Sequence, residues 1–317
     1  MLVEQRDVAQ IHIEREGQLR VGRIFDARLV RKLNVRRGLV SGDGVEAMLD
    51  PLPAGMTEGH TVRVELVREG IAERGRFKLP RVRAALADAR SGEGPDLESR
   101  IMASGLPVVR TGAHGEDMLA SHGWHEQIEA AASGHVPFAG GALEIGLTAG
   151  MTVIDVDGEL EPRQLAFAAA AEAARAIRRF GLAGSIGIDF PTLADKQDRT
   201  RIAESFDAAM FLPCERTAVN GFGFMQVVLR RTRASLPELL AGDRVLAATL
   251  SVLRRAERTG GTGALQLQVH PAVAARLANR PQWIDSLERA AGRVVTIHAD
   301  ASIAMDHGQV HAEGQRG

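Results

Sequence analysis

The sequence predicts an α/β protein with a small β domain in front of its main sheet. Between Met151 and Phe190, two short apolar strands flank one long helix, and each strand carries an aspartate near its end. Strand and helix patterns alternate from Met151 onward, which is typical of α/β domains. Residues 1–80 instead show short strand-like runs with glycine-rich turns, which favour a small barrel or half-barrel.

The N-terminal region is predicted to be a basic β domain. The run TVRVELV alternates between apolar and charged residues, as a half-buried strand does, and residues 38–49 predict a hairpin that turns at residues 41–44. From Arg20 to Arg83 the chain has fourteen Lys/Arg and eight Asp/Glu, a local charge of +6. The basic residues form two groups, which are Arg28, Arg31, Lys32, Arg36 and Arg37, and Arg74, Arg76, Lys78, Arg81 and Arg83. Such groups can neutralise a nucleic-acid backbone, or they can form a solvated basic face.

The segment that follows is predicted to be largely irregular. Residues 84–100 are polar and contain Gly and Pro, which indicates a linker or surface excursion. Residues 105–111 predict a strand that ends at Arg110 and Thr111, and an arginine beside a hydroxyl can hold a phosphate. The other interpretation is an exposed loop arginine. A helix is predicted around residues 122–132.

The β-α-β stretch is the centre of the predicted fold. The segments MTVIDVDG and GSIGIDF predict two strands, and the helix between them has Pro162 in its first turn and Gly181 as its C-cap. A parallel β-α-β unit places the ends of its strands side by side. We therefore expect Asp155 and Asp189, 34 positions apart, to meet at one rim of the sheet, where open α/β sheets bind ligands.

These two aspartates predict a site for a divalent cation. A carboxylate that closes a buried strand is costly unless its charge is compensated. Carboxylates with open coordination positions suit Mg²⁺ or Mn²⁺. Asp157 lies two residues after Asp155, so a strand that continues that far presents both on one face. Helix caps or solvated turn residues are the alternative explanation of these acids.

The rest of the chain continues the α/β pattern. Asp195 is predicted to cap a helix over residues 196–211, and residues 221–230 predict a glycine turn into a strand that leads into the basic run RRTR. The remaining predicted elements are a helix at 243–258, a strand at 264–269, helices at 271–279 and 281–291, and strands at 293–298 and 309–311.

Composition excludes several classes of protein. The chain has 317 residues, is 45% hydrophobic and 25% charged, and has a net charge of −1, all normal for a globular protein. Cys214 is the only cysteine, so an intrachain disulfide and a multi-cysteine zinc site are excluded, and a reducing cytoplasm is favoured. No apolar run reaches the ~18 residues of a membrane span, and the N-terminus lacks an apolar signal core. We expect a cytoplasmic protein without zinc and without a membrane partner.

Three segments together, LTAGMTVIDVDGE, LAGSIGIDF and NGFGFMQVVLRRTRASL, resemble the catalytic core of the RNase E/G family. Its members are Mg²⁺-dependent endoribonucleases that cut single-stranded RNA. The stretch EGHTVRVELVREGIAERGRFKLPRV resembles the end of the family's OB-type domain, and GLPVVRTGAHGED resembles its pocket for an RNA 5′-monophosphate. The likeness is strongest from Met151 to Leu236.

The resemblance implies three domains and a mechanism. It implies a degenerate OB-type RNA-binding domain over residues 1–83, a linker and 5′-sensor-like segment over 84–150, and an α/β nuclease core, RNase H-like/DNase I-like, with a closing region over 151–317. Water activated by Mg²⁺ (or Mn²⁺) would cleave single-stranded RNA and leave 5′-phosphate and 3′-hydroxyl ends. The residues implied are Asp155 and Asp189 as catalytic metal ligands, Asp157 as an auxiliary one, and Arg110, Thr111, Phe222, Arg230, Arg231 and Arg233 as RNA or phosphate contacts.

The chain also departs from the family pattern. The paired cysteines that hold zinc and join subunits are absent, so any homo-oligomer is expected to form without zinc. The Arg and Glu of the family's RFGLLE segment are Gly221 and Gln226 here. The N-terminal domain is short and poor in the aromatics of an OB-type RNA binder. These features describe a reduced member of the family.

Three other functions remain open from the sequence. The run VIDVDGEL also matches the D-x-D-G signature of haloacid-dehalogenase-type phosphatases, in which Asp155 would be a nucleophile, although that signature normally begins its fold. A catalytically weak or inactive RNA-binding protein of the same family is the second alternative. A structural partner in an RNA-processing assembly is the third.

Overall fold

The computed structural model describes residues 1–4, 6–15, 17–73, 76–112 and 115–313. Arg74, which the sequence placed in a basic group, lies outside them. The chain divides into two compact units, of which unit 1 comprises Met1–Val108 and His125–Glu238, and unit 2 comprises Val109–Trp124 and Leu239–Gly317. Within the described ranges, no helix combines the length and apolar character needed to cross a membrane.

The first part of unit 1 contains a closed barrel of five strands in the order β3-β4-β5-β9-β6. All neighbours are antiparallel except β5 and β9, which are parallel. Alternating side chains fill its interior, among them Phe25, Leu49 and Leu66. The strands of this region are β1 (Leu2–Glu4), β2 (Asp7–Gln10), β3 (Ile24–Lys32), β4 (Gly38–Gly42), β5 (Val45–Leu49), β6 (Thr61–Arg68), β7 (Ile71–Glu73), β8 (Arg76–Lys78) and β9 (Arg81–Ala84).

Local sequence signals for the barrel are confirmed. The run TVRVELV forms β6, with Val64 and Leu66 fully buried. The predicted hairpin joins β4 to β5 through Asp43 and Gly44, which both have positive φ (49° and 74°). Two-residue hairpin loops with positive φ match the twist of the flanking strands, which explains this turn.

The second part of unit 1 is a six-stranded sheet with the long helix α3 (Pro162–Phe180) packed on one face. Its order is β10-β11-β12-β13-β15-β14, and β12–β13 is its parallel pair. Its strands are β10 (His135–Phe138), β11 (Gly141–Leu147), β12 (Thr152–Gly158), β13 (Gly184–Asp189), β14 (Glu215–Arg216) and β15 (Phe224–Leu229). Its helices are α1 (Leu97–Ala103), α2 (Trp124–Ser133), α3 (Pro162–Phe180) and α4 (Lys196–Ala209). This sheet and the barrel give the mixed α/β fold that the sequence predicts.

The crossover helix α3 begins and ends where the sequence predicts. Pro162 occupies its first turn, and Gly181 ends it in the left-handed conformation with φ 64°. Leu165 of α3 lies against the sheet between β11 and β12, because a Cβ on either Gly141 or Gly158 would come within 3 Å of its Cδ1 atom. The helix therefore covers the face of the sheet that carries Ile154 and Val156, and the exposed Asp155 and Asp157 lie on the opposite face, which we call the open face.

Unit 2 has a three-stranded sheet and a helical layer of its own. In the sheet β16 lies between β17, to which it is parallel, and β18, to which it is antiparallel. Val252, Leu267 and Val273 are fully or almost fully buried in its core. The elements are α6 (Arg244–Arg258), β16 (Leu265–Val269), α7 (Pro271–Ala278), α8 (Pro281–Ala291), β17 (Val295–Ala299) and β18 (Gln309–Ala312), and α5 (Leu236–Gly242) precedes them.

Three sequence predictions differ from the structure. The strand expected at residues 105–111 is wrong: this segment is irregular and exposed, because its apolar residues pair with no neighbouring strand in the described chain. The predicted linker over 84–100 contains the start of α1, which Asp96 caps by accepting a hydrogen bond from the Ser99 amide at 2.7 Å. The helix α5 was not predicted. In addition, β10 and β11 lie within the segment 84–150 and yet belong to the central sheet.

Candidate active site

Asp155 and Asp189 are direct neighbours on the open face of the central sheet. They are register partners in the parallel pair β12–β13, where neighbouring strands lie about 4.8 Å apart. Ile154, Val156 and Ile188 beside them are buried, whereas both aspartates are exposed. The predicted meeting of the two acids is confirmed. One detail is corrected, because Asp155 lies inside β12, which continues to Gly158 through its pairing with β11.

Asp157 faces the same side as Asp155, as the alternation predicts. Its partner is Ala142 in β11, since the β12–β13 ladder ends at the pair Asp155–Asp189. It lies about 6.6 Å along the strand from Asp155, because each residue of a strand rises by about 3.3 Å. In the part of the chain that the structure describes, no three His, Cys, Asp or Glu residues are grouped closely enough to hold a metal ion. The acids on this face that could hold a cation are the Asp155–Asp189 pair and, further along the strand, Asp157.

The charge pattern of this face fits such a cation. Glu144 in β11 is the register partner of Asp155, so three carboxylates stand side by side across three strands. Like charges on directly opposite residues destabilise a sheet. Glu144 has a partner in His135, but among the described residues neither Asp155 nor Asp189 forms an ion pair. Mg²⁺ typically binds through one or two carboxylates and completes its octahedron with water and phosphate oxygens, which suits this open pair.

The line of register partners crosses five strands. We call it the cross-sheet row; it consists of His135, Glu144, Asp155, Asp189 and Phe224. Sequence reasoning missed His135 and Glu144. The alternation in GALEIGL, with Leu143 and Ile145 buried on either side of Glu144, is the signal that could have placed this acid on the open face.

A tight turn next to Asp189 presents Phe222. The Asn220 side-chain Oδ1 accepts hydrogen bonds from the amides of Phe222 (2.9 Å) and Phe224 (3.0 Å). Gly223 has φ 95°, and its carbonyl accepts the Phe190 amide at 3.2 Å. The turn leaves Phe222 82% exposed, two residues before Phe224 in the chain. Asn220 also went unnoticed in the sequence, because its role depends on the turn geometry.

Phe224 is the last residue of the cross-sheet row and lies beside Asp189. A Cβ on Gly187 would lie 2.6 Å from Cζ of Phe224, so the ring rests directly on this glycine. Gly187 precedes Asp189 by two residues and faces the same side of the sheet. The apolar ring therefore covers the backbone next to the carboxylate pair.

The three arginines of the RRTR run have different surroundings. Arg230 is exposed. Arg231 is only 16% exposed and forms ion pairs with Glu73 at 2.9 Å and with Glu238. Burial lowers the pKa of Arg233, and nearby Arg100 lowers it further. Of the three, Arg230 is therefore the one whose charge faces solvent.

Glu73 ties the hairpin β7–β8 to the segment after β15. Its side chain is 9% exposed and accepts hydrogen bonds from Arg76 and Lys78 (2.7 Å each) as well as from Arg231. Burial alone would raise the pKa of this carboxyl, but the hydrogen bonds from the three cations outweigh it and lower the pKa to about 2. Arg231 thus has a structural partner 158 positions away in the chain.

We expect Glu73→Gln to lower the free energy of unfolding by about 2 kcal/mol at neutral pH, since hydrogen bonds to charged groups contribute about 1.5–3 kcal/mol. A carboxyl whose pKa is depressed in the folded state stabilises the fold above its unfolded pKa, and this contribution disappears as the pH falls from about 5 to 2. The measurement is urea denaturation at a series of pH values. Equal wild-type and Glu73→Gln stability at pH 7 would contradict the expectation.

Arg110 and Thr111 lie in unit 2, on the exposed segment that was predicted to be a strand. Arg258 of α6 holds this segment by donating from Nη2 to Thr111 Oγ1 (3.2 Å) and to the Gly112 carbonyl (2.6 Å). Arg254 of the same helix pairs with Asp117 at 2.7 Å. The Arg-Thr pair is therefore anchored by side chains of α6 and not by a sheet.

Residues 96–233 match the model of the Ribonuclease E/G family. The match includes the carboxylate pair, the Asn220 turn and the Arg110–Thr111 segment, and it ends at Arg233. A search of curated proteins finds no match to the chain. The resemblance indicated by the sequence motifs is thereby confirmed over residues 96–233.

Proposed function

Because residues 96–233 match the Ribonuclease E/G family, we propose that the chain is an endoribonuclease that cleaves single-stranded RNA at the Asp155–Asp189 pair. The observation that carries the proposal is the position of these two carboxylates, which are register partners on the open face of the sheet. Adjacent acids on a surface without a counter-charge among the described residues suit a divalent cation. The family match favours this function over a phosphatase that uses the D-x-D-G run.

Asp155 and Asp189 would hold Mg²⁺, or Mn²⁺, with Asp157 as an auxiliary acid on the same face. Such a cation, when bound, activates water and stabilises the charge that develops on a phosphoryl group. The two aspartates would orient it against the scissile phosphate. We propose products with 5′-phosphate and 3′-hydroxyl ends, and we assign the central sheet to the RNase H-like/DNase I-like type on the family resemblance.

Unpaired basic residues would attract RNA, and the exposed ring of Phe222 would stack on one of its bases. In the described part of unit 1, Arg28, Arg31, Lys32 and Arg36 on the barrel have exposed side chains without ion pairs, whereas Arg63 and Arg83 are paired with Asp26 and Glu65. When exposed, unpaired cations bind phosphates, they release the counterions condensed on the nucleic acid, and this contributes most of the sequence-independent affinity. Arg230 adds a further cation after β15.

Arg110 and Thr111 would bind an RNA phosphate in unit 2, as the family resemblance implies. The contact from Arg258 to Thr111 supports this proposal, because it holds the hydroxyl in a fixed position. A guanidinium next to a hydroxyl supplies donors for phosphate oxygens.

We expect Phe222→Ala to weaken the binding of single-stranded RNA by about tenfold, because stacking of a base on an aromatic ring contributes about 1–3 kcal/mol. The turnover number at saturating RNA should change little, since the ring does not contact the scissile phosphate. Fluorescence anisotropy and steady-state kinetics measure the two effects. Phe211→Ala removes another exposed ring outside the turn and is the matched control. An unchanged affinity of Phe222→Ala would exclude the stacking role.

The test of the proposed function is cleavage of a 5′-labelled, A/U-rich single-stranded RNA in the presence of Mg²⁺, with EDTA as the control. Internal cuts that require the metal are expected. Tight RNA binding without cuts would instead identify a non-catalytic RNA-binding protein.

A further inference from the structure

His135 and Glu144 extend the cross-sheet row beyond the carboxylate pair. Each register step in the row moves one strand, or about 4.8 Å, so His135 lies about 10 Å from Asp155 on the same open face. Val136 and Leu143, the next residues in each strand, are buried on the other face. A strand of RNA whose phosphate meets Asp155 and Asp189 would have a neighbouring nucleotide on the side of Glu144 and His135.

The two side chains form one unit. His135 Nδ1 lies 2.5 Å from Glu144 Oε1. A carboxylate can only accept, so Nδ1 carries the proton of this hydrogen bond. In the neutral ring, Nε2 is then an acceptor, because the bond at one ring nitrogen decides the role of the other. About half of each side chain is exposed (54% for His135 and 50% for Glu144), so the pair is accessible to a ligand.

Stability alone does not account for the pair. Exposed ion pairs typically contribute about 0–1 kcal/mol. Glu144 also stands next to Asp155, where a second acid is unfavourable for the sheet. A contact to the substrate explains better why Glu144 stands beside the carboxylate pair despite this unfavourable charge.

A ribose hydroxyl is a suitable hydrogen-bond donor for the exposed acceptor, which is Nε2 of His135. The 2′-hydroxyl of RNA is both a donor and an acceptor and is the group by which proteins distinguish RNA from DNA. We propose that Glu144 orients His135 so that Nε2 accepts a hydrogen bond from the ribose 2′-hydroxyl of a nucleotide that flanks the scissile phosphate. This inference rests on the proposed function of Asp155 and Asp189 and adds a subsite that selects ribose.

The experiment combines variants of the protein with substitutions in the RNA. His135→Phe keeps a ring but removes both nitrogens, and His311→Phe is the control, because His311 is an exposed strand histidine of unit 2. The substrates are one all-ribose RNA and a series in which a single 2′-deoxy or 2′-fluoro nucleotide moves along the cleavage region. A 2′-fluorine cannot donate, so it should behave like hydrogen at the contacted position.

At one flanking position, we expect each substitution to lower the wild-type kcat/KM by about five- to tenfold, which corresponds to one hydrogen bond of about 1–1.4 kcal/mol. The kcat/KM of His135→Phe on all-ribose RNA should be lower than that of the wild type by the same factor. A 2′ substitution at that position should lower the kcat/KM of this variant no further. Glu144→Gln should give an intermediate loss, because a neutral amide holds the ring less firmly. His311→Phe should behave as wild type.

The binding of all-ribose and all-deoxy strands by the Asp155→Asn protein is measured in parallel, with and without His135→Phe. The expected result is a ribose preference that falls when His135 is replaced. If the wild type does not cleave, the proposed nuclease function fails, and this binding preference still decides the role of His135. Equal sensitivity of wild type and His135→Phe to every single substitution, or a ribose preference that His135→Phe leaves unchanged, would overturn the subsite.

Discussion

Asp155→Asn is expected to reduce the rate of RNA cleavage by about 10²–10³-fold, while RNA binding changes little. The substitution keeps the size of the side chain and its position in β12, so the sheet should fold as before. It removes one of two charges that would hold the cation, and the loss of a group that stabilises developing charge commonly costs 10²–10³-fold. Asp189→Asn should have a similar effect, because the two residues are equivalent neighbours across β12 and β13.

The assay is single-turnover cleavage of labelled RNA, with anisotropy as the measure of binding. Glu159→Gln is the matched control, since it removes an exposed acid just beyond the end of β12. The cation would depend on both carboxylates, so the effects of the two substitutions should not add. The double variant should therefore cleave at a rate within about tenfold of either single variant. Near wild-type rates in both single variants would exclude the carboxylate pair as the catalytic site.

Gly223→Ala is expected to destabilise unit 1 by about 3 kcal/mol, through two effects that act together. Gly223 has φ 95°, a conformation that residues with a Cβ adopt only with strain of about 1–3 kcal/mol. A Cβ at this position would also lie 2.1 Å from the Phe190 carbonyl oxygen, which is fixed backbone. The turn would have to open, so Phe222 and the end of β13 at Asp189 should be displaced.

Thermal unfolding and cleavage should therefore both be affected. A loss of 3 kcal/mol corresponds to a fall in Tm of about 6–12 °C for a unit of this size. Gly221→Ala lies in the same turn and is a stringent control, because no atom lies within 4 Å of its added Cβ. If Gly223→Ala and Gly221→Ala had the same Tm, the turn would be less constrained than its geometry indicates.

Local sequence signals predicted most individual elements of this protein. Pro162 and Gly181 marked the limits of α3, and the alternation in TVRVELV identified a barrel strand. The helix after Asp195 and the elements of unit 2 were also anticipated within a few residues. These signals depend on backbone preferences and on periodicities of two or 3.6 residues, which a single sequence contains. The segment 105–111 shows their limit, because an apolar run becomes a strand only when a partner strand is available.

The sequence by itself predicted that Asp155 and Asp189 would be neighbours, because consecutive strands joined by one crossover helix usually lie side by side and end at the same edge of the sheet. Only the tertiary structure decided what surrounds them. The antiparallel register of β10 and β11 brought His135 and Glu144 into the cross-sheet row, and Glu73 engaged Arg231 from 158 positions away. Strand register and distant ion pairs depend on the packing of the whole unit, and a shift of one residue would turn every side chain of a strand to the opposite face.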